Sequence, residues 1–401
     1  MLLKIQSSIT RQKRFKPLYR SVFFASFSCL LLLIFNSCIS PVNIDPDTPS
    51  NALVVDGFIT TDFGPHEISL SRLTRFASTL EGGTIFPEDD AVVFITDDQG
   101  NRVDLTRKET VRKEISNVCP PGIPCCNPVA FFFPTTAFPY TTPETFRAEV
   151  GRTYVLNIIV RGGLTYQSSP QTVIPSPAID SVSFNFVRLP STDPLDVGTG
   201  VDVFVTWTDP VEQANFYSWR INGTYRLETP ATPANSCCFF DPADGGASLC
   251  WIEERDVQGN ELAFSDSQIN GTSLTRKIGF VEDNGLRFAN TNVSGDRQYY
   301  VEVEQLATSR EAFAFNRLFA SQLDIDGDIF DPPPSEIRGN VNNVNDPEEL
   351  VIGFFGAYSI AKKGAFINRD ILEEVQPWTN PCGDCRLRAG STTEVPAPFR
   401  Q

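Results

Sequence analysis

Val201-Asp202-Val203-Phe204-Val205-Thr206-Trp207 puts Val201, Val203, Val205 and Trp207 on one face of an extended chain. A period of two marks a strand lying against a core, because successive side chains leave a sheet on opposite sides. Thr208-Asp209-Pro210 ends it, since proline brings no N–H to a ladder. Phe216 to Ile221 then begins another. Toward the C-terminus, strands are predicted at 276–280, 298–306 and 350–360. Toward the N-terminus they are predicted at 52–59, 67–73, 91–96, 103–105, 145–150, 154–160, 164–168 and 179–186. Asp98-Gln99-Gly100-Asn101 reads as a hairpin turn. One helix is predicted over 309–323. Ser309 suits an N-cap, Glu311 suits the positive end of the helix dipole, and Ala312, Phe315, Leu318, Phe319 and Leu323 share a side.

Short strands at this spacing, with 32 Phe and 30 Pro against one Met, predict a mostly β chain. The expected architecture is two immunoglobulin/fibronectin-like β-sandwich domains with one main helix. A strand ending in Trp, then Asp-Pro, then an aromatic strand resembles a fibronectin-type sandwich. Ile174-Pro175-Ser176-Pro177 resists helix and sheet and is the expected boundary between 51–175 and 176–401. Cys- and Pro-rich insertions interrupt both halves, at 111–142 and 229–250. The first contains Phe131-Phe132-Phe133 and is expected to cover its own domain.

The N-terminus decides where the protein resides. Lys4, Arg11, Lys13, Arg14, Lys16 and Arg20 precede the apolar run Ser21–Phe35, and Asn36-Ser37-Cys38 follows. These are the three regions of an export signal. Fifteen residues are short for a membrane span, which needs ~20. Residues 1–37 therefore read as a lipoprotein signal peptide, Cys38 as the lipidated residue and 38–50 as a tether. Phe35 stands where Leu is commonest in such signals, and an uncleaved anchor is the alternative. Removing residues 1–37 takes six basic and no acidic residues, so the net charge moves from −16 to −22. Such a chain repels nucleic acid and anionic lipid heads.

Eight further cysteines fall in groups of three (Cys119, Cys125, Cys126), three (Cys237, Cys238, Cys250) and two (Cys382, Cys385). In an oxidising compartment disulfides are the default reading, and only Cys382-x-x-Cys385 has zinc-ligand spacing. Odd groups cannot pair wholly within themselves, so full oxidation requires at least one bridge between distant groups. Cys237 and Cys238 point apart in extended chain and are expected to take different partners. A redox role for the Cys382/Cys385 pair is the rival reading.

Catalytic signals are sparse. The single histidine, His66, would have to serve any Ser-His or Cys-His machinery. No Gly-x-Ser-x-Gly accompanies it, and a partly exposed strand histidine is the expected reading. Asp324, Asp326 and Asp328 have spacing that calcium can use, but Ile329 and Ser335 depart from an EF-hand loop, so an acidic turn is expected. Trp207, Tyr217, Trp219, Trp251 and Trp378 could line a sugar platform; core packing is their commoner fate. With 49 acidic residues, a glycosidase pair has no unique location in the sequence. No cofactor motif is present.

Several stretches together resemble the domain-of-unknown-function 4249 family of exported proteins from Bacteroidetes-type bacteria. They are Leu53-Val54-Val55-Asp56-Gly57-Phe58-Ile59, Ile329-Phe330-Asp331-Pro332-Pro333 and Arg338-Gly339-Asn340-Val341. Ile352-Gly353-Phe354-Phe355 and Cys382-Gly383-Asp384-Cys385-Arg386 complete the set, in order from about Asp45 to the C-terminus. The Cys119–Cys126 cluster is extra to the pattern, and the family's C-terminal ending is partly kept at Pro398-Phe399. The resemblance implies a lipid-anchored outer-membrane protein, often associated with TonB-dependent transport, and supplies no catalytic residue. It also implies that the Cys382/Cys385 tail is stapled near the 237–250 loop. Two functions are expected from this: a non-enzymatic accessory or ligand-binding lipoprotein beside a TonB-dependent transporter, or a cell-surface hydrolase acting on polysaccharide or protein.

Overall fold

The computed structural model of the chain describes residues 52–73, 85–88, 90–108, 139–188, 198–211, 215–228, 249–256, 263–267, 271–284, 286–288, 299–323, 337–367, 371–373 and 385–400. The first half runs β1 (Ala52–Thr60), β2 (Glu67–Leu73), β3 (Ile85–Pro87), β4 (Val92–Asp97), β5 (Arg102–Asp104), β6 (Thr106–Arg107), β7 (Tyr140–Thr141), β8 (Thr153–Ile159), β9 (Thr165–Ser168) and β10 (Gln171–Thr172). The second runs β11 (Ile179–Arg188), β12 (Thr199–Thr208), β13 (Phe216–Glu228), β14 (Leu249–Glu254), β15 (Phe264–Ser265), β16 (Ser273–Glu282) and β17 (Tyr299–Thr308). Helix α1 (Arg310–Leu323) follows, then β18 (Val341–Asn343), β19 (Val351–Ile367) and β20 (Ser391–Thr392). The chain is thus mostly β, and α1 is the one α-helix among the described residues.

Strand β19 organises the sheets. Its first half runs parallel to β1, from Leu53 opposite Val351 to Thr60 opposite Tyr358. Its second half runs antiparallel to β17, from Ala307 opposite Ser359 to Tyr299 opposite Ile367. The result is an eleven-stranded sheet whose main path is β20-β14-β13-β17-β19-β1-β2-β7-β6. Two smaller sheets pack against it. The six-stranded sheet built on β18-β9-β8-β4-β5 joins Leu53, Val55, Ile68 and Phe355 to Ile95, Leu156, Ile158 and Tyr166 in one core. The β11-β12-β16 sheet places Val201, Val203, Val205 and Trp207 against Tyr217, Trp219, Ile221 and Val303 in the other.

The sheets do not part at residues 175–176. The first core takes Val341, Val351, Phe355 and Ala357 from the far end of the chain. The physical reason is β1: its second edge needs a ladder partner, and β19 supplies it. Three of the stretches that carried the family resemblance, 53–59, 338–341 and 352–355, meet at this seam. Gly339 lies so close to β19 that a Cβ there would fall 1.3 Å from the Gly353 carbonyl oxygen. Gly353 itself has φ +101°, a conformation that favours glycine. Beside them the Asn340 amide stands in for a strand neighbour. Its Nδ2 donates to Phe355 O and its Oδ1 accepts from Phe355 N, each at 2.8 Å.

Three local expectations are corrected. Residues 145–150 form no strand: Phe146 N donates to Pro143 O at 3.0 Å in a turn, and Ala148 N donates to Thr60 O at 2.8 Å. Strand β14 emerges from the end of what read as an insertion. In α1 the N-cap is as expected, with Ala312 N donating to Ser309 Oγ at 3.1 Å. Its apolar side, however, is only partly covered. Ala312 is buried, while Leu318 and Phe319 are 48% and 43% exposed. The rings that α1 sets on the sheet, Phe313 on Phe216 and Phe315 on Phe354, both come from its first half.

Candidate functional site

Side chains of β13, β17 and β19 that do not enter the second core leave the sheet on its other face. Register sets Arg220 across from Glu304, and Glu304 across from Lys362. Helix α1 covers one end of this face, packing Ala312 on Leu306 and Tyr358. Phe399 covers the other, 5.3 Å from Phe366 and 6.4 Å from Tyr300 by ring centroids. Tyr300 lies across Gly364, where a Cβ would fall 1.7 Å from its hydroxyl oxygen. Between these covers runs a charged strip: Arg220, Glu302, Glu304 and Lys362, with Asp62 just past β1 and Asp256 just past β14.

Glu304 is the centre of the strip and is 5% exposed. Arg220 Nη2 donates to its Oε2, and Lys362 Nζ stands 2.9 Å from its Oε1. Lys362 Nζ also lies 2.6 Å from Asp62 Oδ2 and 3.8 Å from Glu302 Oε1. Arg220 Nε is 3.9 Å from Asp256 Oδ1, and the guanidinium sits 4.8 Å from the Phe58 ring centroid. Burial alone would push Glu304 up, but Arg220 and Lys362 outweigh it and hold the carboxyl below its usual range. Burial raises the neighbouring Glu302; Lys362 opposes this, and Glu304 and Asp62 reinforce it. Asp56, also on the outer side of β1, is raised by burial and by Asp256.

Arg220 is held by Glu304 and Lys362 bridges Glu304 and Asp62, while Asp62 and Glu302 stand at the exposed margin with side chains 42% and 37% accessible. Those carboxylates can accept hydrogen bonds from a ligand's hydroxyl, amine or guanidinium groups. A second concavity, of about 450 Å³, lies on the first sandwich and is lined by Asp97, Asn101, Phe146, Arg147, Arg152 and Tyr154. Of its two guanidinium groups, that of Arg152 is held 2.5 Å from Asp97 Oδ2 and 2.6 Å from Asp98 Oδ1. Arg147 links cavity to strip. Its guanidinium lies 5.0 Å from the centroid of Phe63, a ring 66% exposed and next to Asp62.

His66 precedes β2 and is buried, where a partly exposed strand position was expected. Its ring meets Phe146 edge-on at 5.9 Å, and its Nε2 has no hydrogen-bond partner among the described residues. Burial lowers its pKa, the Asp62 carbonyl and charge oppose this, and Arg220 adds to it. Trp207, Tyr217, Trp219 and Trp251 are all buried. Cys250 and Cys385 are bonded to each other across 135 residues, so the C-terminal tail is fastened to β14 and Cys385 is not paired with Cys382. Cys38, Cys119, Cys125, Cys126, Cys237, Cys238, Cys382, Trp378, the Asp324/Asp326/Asp328 group and Phe131–Phe133 lie outside the described residues.

Sequence reasoning missed the strip. Its members come from five segments between Asp62 and Lys362, and only strand register brings them together. The available signal was the alternation of Glu302 and Glu304 with Val301 and Val303, which marks both acids as sharing one face.

The family model described as domain of unknown function (DUF4249) matches residues 39–364. No curated protein matches the chain. The match spans both sheets' seam, all of β1 and most of β19, and the chain belongs to the DUF4249 family.

Proposed function

We propose that this protein is a lipid-anchored outer-membrane component, fastened through Cys38, that binds a ligand without transforming it and works beside a TonB-dependent transporter. The observation that carries the binding part is the strip. Its two basic groups are already engaged by buried Glu304, and its outer carboxylates face solvent between two aromatic covers. This arrangement can hold a ligand's donors. The Cys250–Cys385 bond supports export, because such bonds persist in oxidising compartments. The test is purification from outer membranes with the lipid intact. A co-purifying β-barrel transporter supports the reading, and a protein that leaves the membrane alone and binds nothing from that preparation refutes it.

One observation favours a hydrolase as the second reading. Glu302 and Glu304 share a face, with one carboxyl pushed up and the other held down, as acid–base pairs often are. Glycan turnover abolished by Glu302→Gln would establish that alternative.

A further inference from the structure

Where β12 ends and β13 and β16 begin, two carboxyl groups are buried together. Asp209 follows β12 and is 2% exposed; Asp266 follows β15 and is 0% exposed. Neither belongs to the strip or the cavity. Asn215 joins them, its Nδ2 lying 3.5 Å from Asp209 Oδ1 and 3.1 Å from Asp266 Oδ2. Asp209 has further donors. The Tyr217 hydroxyl donates to its Oδ1 at 2.8 Å, and the Gly271 N–H donates to its Oδ2 at 3.1 Å. Asp266 Oδ1 has no donor among the described residues.

The two carboxyl groups converge on one amide nitrogen, Asn215 Nδ2, and both are buried. Two ionised carboxylates cannot keep that arrangement in a dry interior, where like charges repel and desolvation is unrelieved. The surroundings offer little relief. From β12 come Trp207 and Thr208, and the exposed Thr208 hydroxyl donates to Asp180 of β11 at 3.0 Å. From β13 comes Tyr217. On β16, Arg276 lies over the Phe264 ring at 4.4 Å, two residues before Asp266. Both carboxyl groups share Asn215, but Asp209 also accepts from Tyr217 and Gly271, and these two extra donors divide the roles.

We infer that Asp209 and Asp266 share one proton in the folded protein at neutral pH, with Asp266 as the donor and Asp209 as the ionised acceptor. The proton is then a clamp on the end of β12 and the starts of β13 and β16. Burial pushes the Asp266 carboxyl up, and Asp209 adds to this against the hydrogen bonds from Asn215. A carboxyl raised in the folded state contributes stability that is full below its unfolded pKa and is lost as pH rises through the folded value. Releasing the proton to alkaline solvent leaves two buried charges side by side and opens this end of the sandwich.

Infrared difference spectroscopy on the full chain tests the idea, with amide hydrogen exchange read in parallel. The wild type should show a protonated-carboxyl band at neutral pH that Asp266→Asn lacks. On raising the pH the band should disappear while the protection factor of the Gly271 amide, its exchange corrected for intrinsic base catalysis, falls. An identical band in wild type and variant overturns the inference, and so does a band displaced by added calcium, which would make the pair a cation site. Should Asp266→Asn fail to fold, the wild type decides alone. No protonated-carboxyl band at neutral pH, or one whose loss leaves the Gly271 protection factor unchanged, overturns the clamp.

Discussion

Gln305 accepts a hydrogen bond from Trp219 through its side-chain oxygen at 3.0 Å, and both residues are fully buried. The same amide donates through Nε2 to Pro177 O at 2.9 Å. One side chain therefore ties the indole of the second core to the proline-rich passage between the halves. Ser359 reinforces this by donating to Ile174 O. The passage read in the sequence as a boundary is stitched to β17 and β19.

Gln305→Ala should consequently destabilise the whole protein. It leaves the Trp219 N–H without its partner and the Pro177 carbonyl with only the Ser176 hydroxyl at 3.5 Å, and an unsatisfied buried group costs about 1–3 kcal/mol. Urea unfolding should show a lowered midpoint in one transition. Two separated transitions would show that the halves unfold independently.

Breaking the Cys250–Cys385 bond should cost about 2–5 kcal/mol, the usual effect of removing a native bridge from an exported domain. The double variant Cys250→Ser with Cys385→Ser should melt at the same temperature with and without reductant, if the wild type's other cysteines contribute little. The wild type should fall to that temperature only when reduced. A wild type indifferent to reductant would deny the bond a stabilising role.

The fold class was legible because alternation is a local property. Val201 to Trp207 shows its period to a reader of seven residues, and the cap at Ser309 shows itself in three. The parallel pairing of β1 with β19 was not legible, since it joins residues about 300 positions apart and both strands are apolar whichever edge they pair through. The charged strip failed for the same reason. Arg220, Glu304 and Lys362 each read as an ordinary outward residue until register sets them in a row. The glycines were visible as motifs but carried no meaning until Gly339 and Gly353 were seen to touch.

His66 should make the protein less stable in mild acid. Its pKa is lowered in the folded state, chiefly by burial. A group so depressed contributes stability that is present above its unfolded pKa of about 6.5 and is lost as pH falls through the folded value. Wild type and His66→Gln should therefore differ in stability by an amount that shifts against the wild type as pH falls below about 6.5. A constant difference across that window would show that the ring never titrates there.

Glu302 and Glu304 should separate binding from stability. Glu304 is buried and holds both Arg220 and Lys362, so Glu304→Ala takes the nearest carboxylate from Arg220 while Lys362 keeps Asp62, and should cost about 1–3 kcal/mol. Glu302 stands at the exposed margin, 3.8 Å from Lys362, and its side chain is 37% accessible. Its charge is partly opposed by Glu304 and Asp62, so Glu302→Gln should leave the unfolding midpoint within about 0.5 kcal/mol of the wild type. If the strip holds the ligand through its outer carboxylates, Glu302→Gln should weaken ligand capture while Lys363→Gln does not. Lys363 is the useful control because it neighbours Lys362 in β19 but alternates to the other side of the strand. Capture is measured by comparing what each intact lipoprotein retains from the same outer-membrane extract. Equal retention by Glu302→Gln and wild type, with both folded, would remove the strip as the binding surface.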